Sequence, residues 1–166
     1  YQNRILGDRA ENLEEAIIAY QQALNIFSQT DTPLDWAGTM NNLGSAYSIR
    51  IRGYQAQNLE NAIAALQEAL TVRTQSAYPV EWAQTMMNLG NVYQARIHED
   101  RAENIEQAIA AFQQSLTVRT QNAMPVEWAE TMHNLATSYH ARIHGNRAEN
   151  IDHSIAAFQE SLTVRG

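Results

Sequence analysis

One interval governs this chain: Trp36, Trp82 and Trp128 lie 46 residues apart. Tyr1, Tyr47, Tyr93 and Tyr139 keep the same interval, and so do Asn12, Asn58, Asn104 and Asn150. Pro79-Val80-Glu81-Trp82-Ala83 returns as Pro125-Val126-Glu127-Trp128-Ala129, and in looser form as Pro33-Leu34-Asp35-Trp36-Ala37. Thr71-Val72-Arg73-Thr74-Gln75 returns at Thr117 to Gln121. Self-similarity at a fixed period means a stacked array, in which each unit buries its apolar face against its neighbours.

Each period holds two helical patterns. The first, helix A, opens at a proline, whose missing N–H costs nothing in a first turn. An acid two residues later (Asp35, Glu81, Glu127) complements the positive helix start. Trp36, Met40, Leu43, Gly44, Tyr47 and Ile51 then trace one helical stripe. The pattern predicts helix A from Pro33 to about Arg52, roughly 30 Å long at about 1.5 Å per residue. Gly7, Gly53 and Gly145 stand where such a helix would stop in a left-handed residue, and Glu99 in the third copy predicts a looser end there.

The second pattern, helix B, is predicted to begin at the recurring asparagine, with Asn12 as a cap. Glu15 and Gln107 stand where they would close a capping box. Its stripe reads Leu13, Ala16, Ile17, Tyr20 and Leu24, and ends in the last copy as Ile151, Ser154, Ile155, Phe158 and Leu162. The expected domain organisation is one array over 1–166: a partial repeat at 1–32, then repeats at 33–78, 79–124 and 125–166. Neither end shows a polar capping helix, so the chain reads as a segment of a longer array.

The motifs resemble the tetratricopeptide family. Leu43-Gly44-x-x-Tyr47 and Leu89-Gly90-x-x-Tyr93 carry the first-helix signature, and Leu135-Ala136-x-x-Tyr139 replaces its glycine with alanine. Ala16 with Tyr20, Ala62 with Leu66 and Ala108 with Phe112 match the second helix. Met40, Met86 and Met132 stand where the family has tryptophan, and the period exceeds the family's roughly 34 residues. The resemblance implies an all-α fold of antiparallel helix hairpins stacked as a right-handed α-solenoid. Arg-Ile-x-Gly-Asp-Arg-Ala-Glu-Asn and Asn-Leu-Glu-x-Ala-Ile also look like bacterial arrays found with caspase-like CHAT protease domains, which implies a parent protein of that kind.

The same resemblance implies a protein-interaction scaffold, with a peptide or protein segment bound on a concave wall of A helices. Positions off the packing stripe are then the candidate site. They are Asn41, Asn42, Ser45, Ser48 and Ile49; Met87, Asn88, Asn91, Gln94 and Ala95; and His133, Asn134, Thr137, His140 and Ala141. The first of each set changes from Asn to Met to His, either because a partner selects it or because the surface drifts. Asn42, Asn88 and Asn134 do not change, although asparagine is a poor mid-helix residue. Two readings stand: a ladder of amides for an extended peptide's backbone, or amides that bond a neighbouring helix's backbone and hold the stack. Gly38, Gln84 and Glu130, with Asn41, Met87 and His133, occupy the places where carboxylate-clasping relatives carry cations. A neutral or weakly polar ligand is therefore expected.

Charge narrows the partners further. The net charge is −7, and all 11 basic residues are arginine, a balance opposite to that of nucleic-acid binders and poorly suited to anionic membranes. No apolar run approaches the roughly 18 residues of a membrane span. The chain has no cysteine, which fits a cytoplasmic protein. Arg4, Arg50, Arg96 and Arg142 recur at the end of helix A, where a cation suits the helix terminus and Glu11, Glu103 or Glu149 offers a partner. His140 and His144 are spaced for zinc on one helix, but no third ligand accompanies them. No phosphate loop or catalytic motif is present, so neither an enzyme nor a bound metal or cofactor is expected. Finally, Leu13, Ile17, Tyr20 and Leu24 at one end, and Ile151, Ile155, Phe158 and Leu162 at the other, predict apolar helix faces without a cover and a homo-oligomer through the terminal helices.

Overall fold

Three prolines open three of the helices, as their fixed φ and missing N–H favour. A computed structural model describes residues 2–163, with side chains described from residue 9. Within that span the elements are α1 (Gln2–Ala23), α2 (Pro33–Ser48), α3 (Gln55–Val72), α4 (Pro79–Ala95), α5 (Arg101–Leu116), α6 (Pro125–Ala141) and α7 (Arg147–Leu162). Helices α2, α4 and α6 are the A helices; α1, α3, α5 and α7 are the B helices. The fold is all-α, built of antiparallel hairpins: α2 packs on α3, α4 on α5 and α6 on α7. Tyr1 and the side chain of Arg4, first members of two recurring sets, lie outside the described residues.

The chain divides into two compact units, Tyr1–Thr74 and Gln75–Gly166. In the first, α1 lies against α2, and Ile17, Leu43 and Ala46 form a small core joined by Tyr20, Leu24 and Tyr47. In the second, α5 also contacts α6, and the core gathers Met87, Ile105, Ala108, Ile109, Phe112, Met132, Leu135, Ala136 and Ala157. Trp128, Tyr139 and Phe158 pack against it. These are the stripe residues of both helix patterns, brought together by hairpin pairing.

The recurring asparagine does not cap helix B. The helix begins earlier, capped in two copies by Asp100 and Asn146, whose side chains accept from the N–H of Ala102 and Ala148 at 2.7 and 2.9 Å. No capping box forms through Gln107. Asn58, Asn104 and Asn150 instead sit buried in the first turn and reach back to the loop. Their amide nitrogens donate to the carbonyls of Arg52, His98 and His144 at 2.9, 2.8 and 2.9 Å. Asn12 is exposed within α1, because Gln2–Ala23 is one continuous helix and no loop precedes it to be tied. Gly7 therefore does not end a helix. In two other copies the A helix packs on an earlier B helix, α2 on α1 and α6 on α5, and breaks before its own B helix begins. One interior glycine costs a helix only about 1 kcal/mol, which α1 carries.

Helix A is shorter than predicted. It stops at Ser48, Ala95 and Ala141, leaving Arg50 and Ile51 in the loop. Gly53 and Gly145 are left-handed, at φ 83° and 82°, but within that loop and not at the helix end. Glu99 takes the same conformation at φ 69°. The third turn is therefore as tight as the others, and is made with a residue poorly suited to it.

Candidate functional site

Two of the recurring arginines, Arg50 and Arg142, are structural braces. Arg50 meets Glu14 of α1 in a two-bond fork at 2.8 and 2.6 Å, and Arg142 meets Glu106 of α5 at 2.7 and 2.9 Å. The expected partners Glu11 and Glu149 are not used; each cation reaches the B helix before its own A helix. The forked bonds to Arg50 hold the Glu14 carboxyl below the ordinary carboxylate range, and the two glutamates raise Arg50 and Arg142. Two of the recurring tyrosines, Tyr47 and Tyr139, also join their helices to the preceding B helix. Gln21 donates to the Tyr47 hydroxyl at 3.1 Å, and Gln113 to that of Tyr139 at 2.9 Å. A third set joins successive turns: Gln29 to Thr71 at 2.8 Å in the first unit, and Gln75 to Thr117 and Gln121 to Thr163 at 2.9 Å in the second.

The candidate binding residues differ in exposure. In the first unit Asn41 is buried and donates to the Asn42 side chain at 3.3 Å, while Asn42 is exposed. Ser45 and Ser48 are half-buried and bond back to carbonyls of their own helix, those of Asn41 and Ser45. Asn42 and Ser45 also line a groove of about 250 Å³ with Leu13, Ala16, Tyr20, Ala46 and Ile49.

In the second unit Met87 is buried, and Asn88, Asn91, Gln94 and Asn134 are half-buried. His133, Thr137 and His140 are exposed. Polar side chains bridge α4 and α6 directly. Asn134 donates to the Asn91 amide oxygen at 3.0 Å and Gln94 to the Ser138 hydroxyl at 3.2 Å, while within α4 Asn91 donates toward the Met87 sulfur at 3.1 Å. One member of the invariant asparagine set thus ties neighbouring A helices together, through a side chain and not through backbone. Thr137 bonds the His133 carbonyl at 3.0 Å, and the His133 ring meets Phe158 edge-on at 5.2 Å.

The zinc spacing fails on geometry: α6 ends at Ala141, so His144 is in the loop, where its carbonyl serves Asn150. Among the described residues no three His, Cys, Asp or Glu side chains gather as a metal site.

Sequence reasoning passed over Arg119, only 4% exposed, which donates to the Thr131 hydroxyl at 3.3 Å and lies 3.9 Å from Glu130. Burial lowers its pKa, and its Nε has no partner. The repeated Thr-Val-Arg-Thr-Gln block was the available signal, since a cation kept beside an unchanging core has a place in that core.

Residues 82–121, from Trp82 on α4 through α5 to Gln121, match the family described as tetratricopeptide repeat. This segment is a tetratricopeptide-like repeat. No curated protein matches the chain. Within the tetratricopeptide-like repeat, Gly90 is the small first-helix position, and a Cβ built there would fall 2.6 Å from the Phe112 ring. Gly44 repeats the relation, 2.8 Å from Leu66. The family signature is thus a close-approach device: one helix brings bare backbone against a large side chain of the next. Tetratricopeptide-like helical hairpins generally serve as scaffolds for protein–protein interaction. No described helix is long and apolar enough to cross a membrane.

Proposed function

We propose that the array is a non-catalytic protein-interaction module that takes a neutral or weakly polar peptide or protein segment on its A-helix face. The observation that carries this reading is the polar row of the second unit. His133, Thr137 and His140 are exposed on α6, beside Asn88, Asn91 and Gln94 on α4, with the two helices already fixed by the Asn134–Asn91 and Gln94–Ser138 bonds. A face held in place by its own bonds loses little freedom when a ligand arrives. The cytoplasmic setting and the kinship with CHAT-linked bacterial arrays belong to the same proposal, the first on the lack of cysteine and the second on the wording of the repeats. A peptide-display selection against the whole chain tests it, followed by His133→Ala with His140→Ala. Selected peptides lose affinity if the face binds them; unchanged affinity in a folded variant defeats the reading.

Self-association is the second reading, supported by Ile155 at 49% and Leu162 at 60% exposure on α7. Light scattering over a hundredfold dilution tests it. A single-chain mass throughout, unaltered by Ile155→Glu, rules it out.

A further inference from the structure

α4 and α6 both run antiparallel to α5, so they open at the same end of the second unit. Each opens on a proline, an aliphatic residue and an acid: Pro79-Val80-Glu81 and Pro125-Val126-Glu127. Proline suits the first turn, and the acid suits the positive helix start. The valine has neither reason. It is β-branched and a middling helix former, yet it is left 48% exposed at Val80 and 70% exposed at Val126. Pro79 and Pro125 are exposed beside it. Val80 lies mid-chain, with α2 and α3 before it and α6 and α7 after it, so its exposure belongs to the edge and not to either end of the chain. The charge facing solvent here has one sign. The charged residues of 75–82 and 117–130 are Glu81, Arg119, Glu127 and Glu130, and Arg119 is 4% exposed. Glu130 is the most open, its side chain 58% exposed. It stands beyond the first turn, where a helix start no longer favours an acid, at the place where α4 has Gln84. The opposite edge of the unit exposes Ile97 and Ile143 but carries both signs, with Arg101 and Glu103 on one turn and Arg147 and Glu149 on the next.

We propose that this edge docks an extended segment of a partner protein in which aliphatic and basic residues recur together. The aliphatic side chains seat against Val80 and Val126, and lysine or arginine faces Glu81, Glu127 and Glu130. Charge complementarity sets the sign of the partner, and the geometry of the repeat sets its period. α4 and α6 touch, packed helices lie about 8–10 Å apart, and three residues of extended chain cover about 10 Å. The segment therefore repeats its aliphatic residue at every third position, with a basic residue in each interval. Exposed ion pairs contribute little singly, so the aliphatic contacts supply most of the affinity and the carboxylates select against acidic segments. A second copy of this chain is the poorer occupant, since two molecules of net charge −7 repel each other. The edge lies at the helix starts and uses none of Asn88, Asn134, His133 or His140, so it goes beyond the polar A-helix face.

The probe is a synthetic peptide of four leucine-arginine-serine triplets, blocked at both termini and titrated into the whole chain by NMR. Saturable binding is expected, with shifts centred on Val80, Glu81, Val126 and Glu127. Val80→Ser with Val126→Ser should weaken it by at least ~10-fold, and so should a peptide with serine in place of leucine. Glu127→Gln with Glu130→Gln should weaken it ~3-fold and flatten its dependence on salt. A peptide with glutamate in place of arginine should not bind. His133→Ala with His140→Ala should leave binding unchanged, which separates this outcome from that of the polar face. Thermal melts confirm that the variants fold. Failure to bind overturns the proposal. Equal binding of the leucine-free peptide also overturns it, because only diffuse attraction to an acidic chain would then be at work. Shifts centred on Asn88 and Asn134 would overturn it too. Light scattering that shows self-association lost in the double valine variant, and not displaced by the peptide, would assign the edge to a second copy and sink the proposal.

Discussion

The Phe112 ring occupies the space that a side chain at Gly90 would need: a Cβ built there lies 2.6 Å from one ring carbon and 2.9 Å from two more. Gly90→Ala sets two effects against each other. Alanine favours a helix interior by about 1 kcal/mol, while overpacking a filled core costs about 1–3 kcal/mol. Phe112 is fully buried and has no room to retreat, so the second term wins. Denaturant melts should show a net loss of about 1 kcal/mol. Adding Phe112→Leu should cost less in the Gly90→Ala background than alone. Simple additivity would mean that the two positions do not press on each other.

Glu99 makes a tight turn with an ill-suited residue. A left-handed conformation costs a non-glycine residue about 1–2 kcal/mol, and glycine gives back part of that in unfolded-chain entropy. The carboxylate's 4.0 Å approach to Arg96 is exposed and worth little. Glu99→Gly should therefore stabilise the chain by about 0.5–1 kcal/mol, raising the melting temperature, and Gly145→Ala should act in the opposite direction. A lower melting temperature for Glu99→Gly would contradict the φ of 69°.

One residue of the repeat should respond differently in two copies. Asn104 is buried and donates to the His98 carbonyl at 2.8 Å, so Asn104→Ala should cost about 1–2 kcal/mol. Asn104→Asp should cost more, since a carboxylate cannot donate and would face a carbonyl. Asn12 is exposed within α1, and Asn12→Ala should be neutral or slightly stabilising by helix propensity. Equal losses at both positions would show that the first copy forms the same loop as the others.

The Glu14–Arg50 fork gives stability a pH dependence whose sign is fixed. The Glu14 carboxyl is lowered from its ordinary 4.5, chiefly by the hydrogen bonds from Arg50, with burial opposing. A lowered folded-state pKa means that the unfolded chain takes up the proton first. The contribution is complete above the ordinary value and is lost as pH falls through the lowered one. Glu14→Gln should cost no more than about 1 kcal/mol at neutral pH, and the gap to the parent should close in acid. A gap that stays constant below the carboxylate range would show that the fork carries no charge-dependent stability.

The hairpins and both stripes were legible in the sequence, because Leu43, Gly44, Tyr47 and their repeats carry a helical spacing that only packing explains. Helix ends were not. Asn58 looks like a cap by type, yet the cap role falls to residues four positions earlier, and only the loop's path shows which carbonyl the amide serves. By sequence Arg50 is a cation at a helix end with acids nearby. Its partner, 36 residues back, becomes apparent only when the preceding B helix is in place. The sequence predicts an uncovered stripe at Leu13, Ile17, Tyr20 and Leu24, but α2 packs on that face, burying Ile17 in a core that Tyr20 and Leu24 join, and only Leu13 and Tyr20 are left to line a groove with Asn42 to Ile49.

The asparagine tie has a mechanical consequence. Each loop between helices A and B hangs by a side chain on the first turn of the helix that follows it, at 2.8–2.9 Å. The hinge of the hairpin is thereby locked, and its two arms cannot scissor without breaking that bond. Under tension within the second unit the hairpin moves as a stiff plate. Strain then collects at the joint between α5 and α6, where the Arg142–Glu106 fork acts as a side-chain spring. A unit built this way stretches at its seam before either of its plates unfolds.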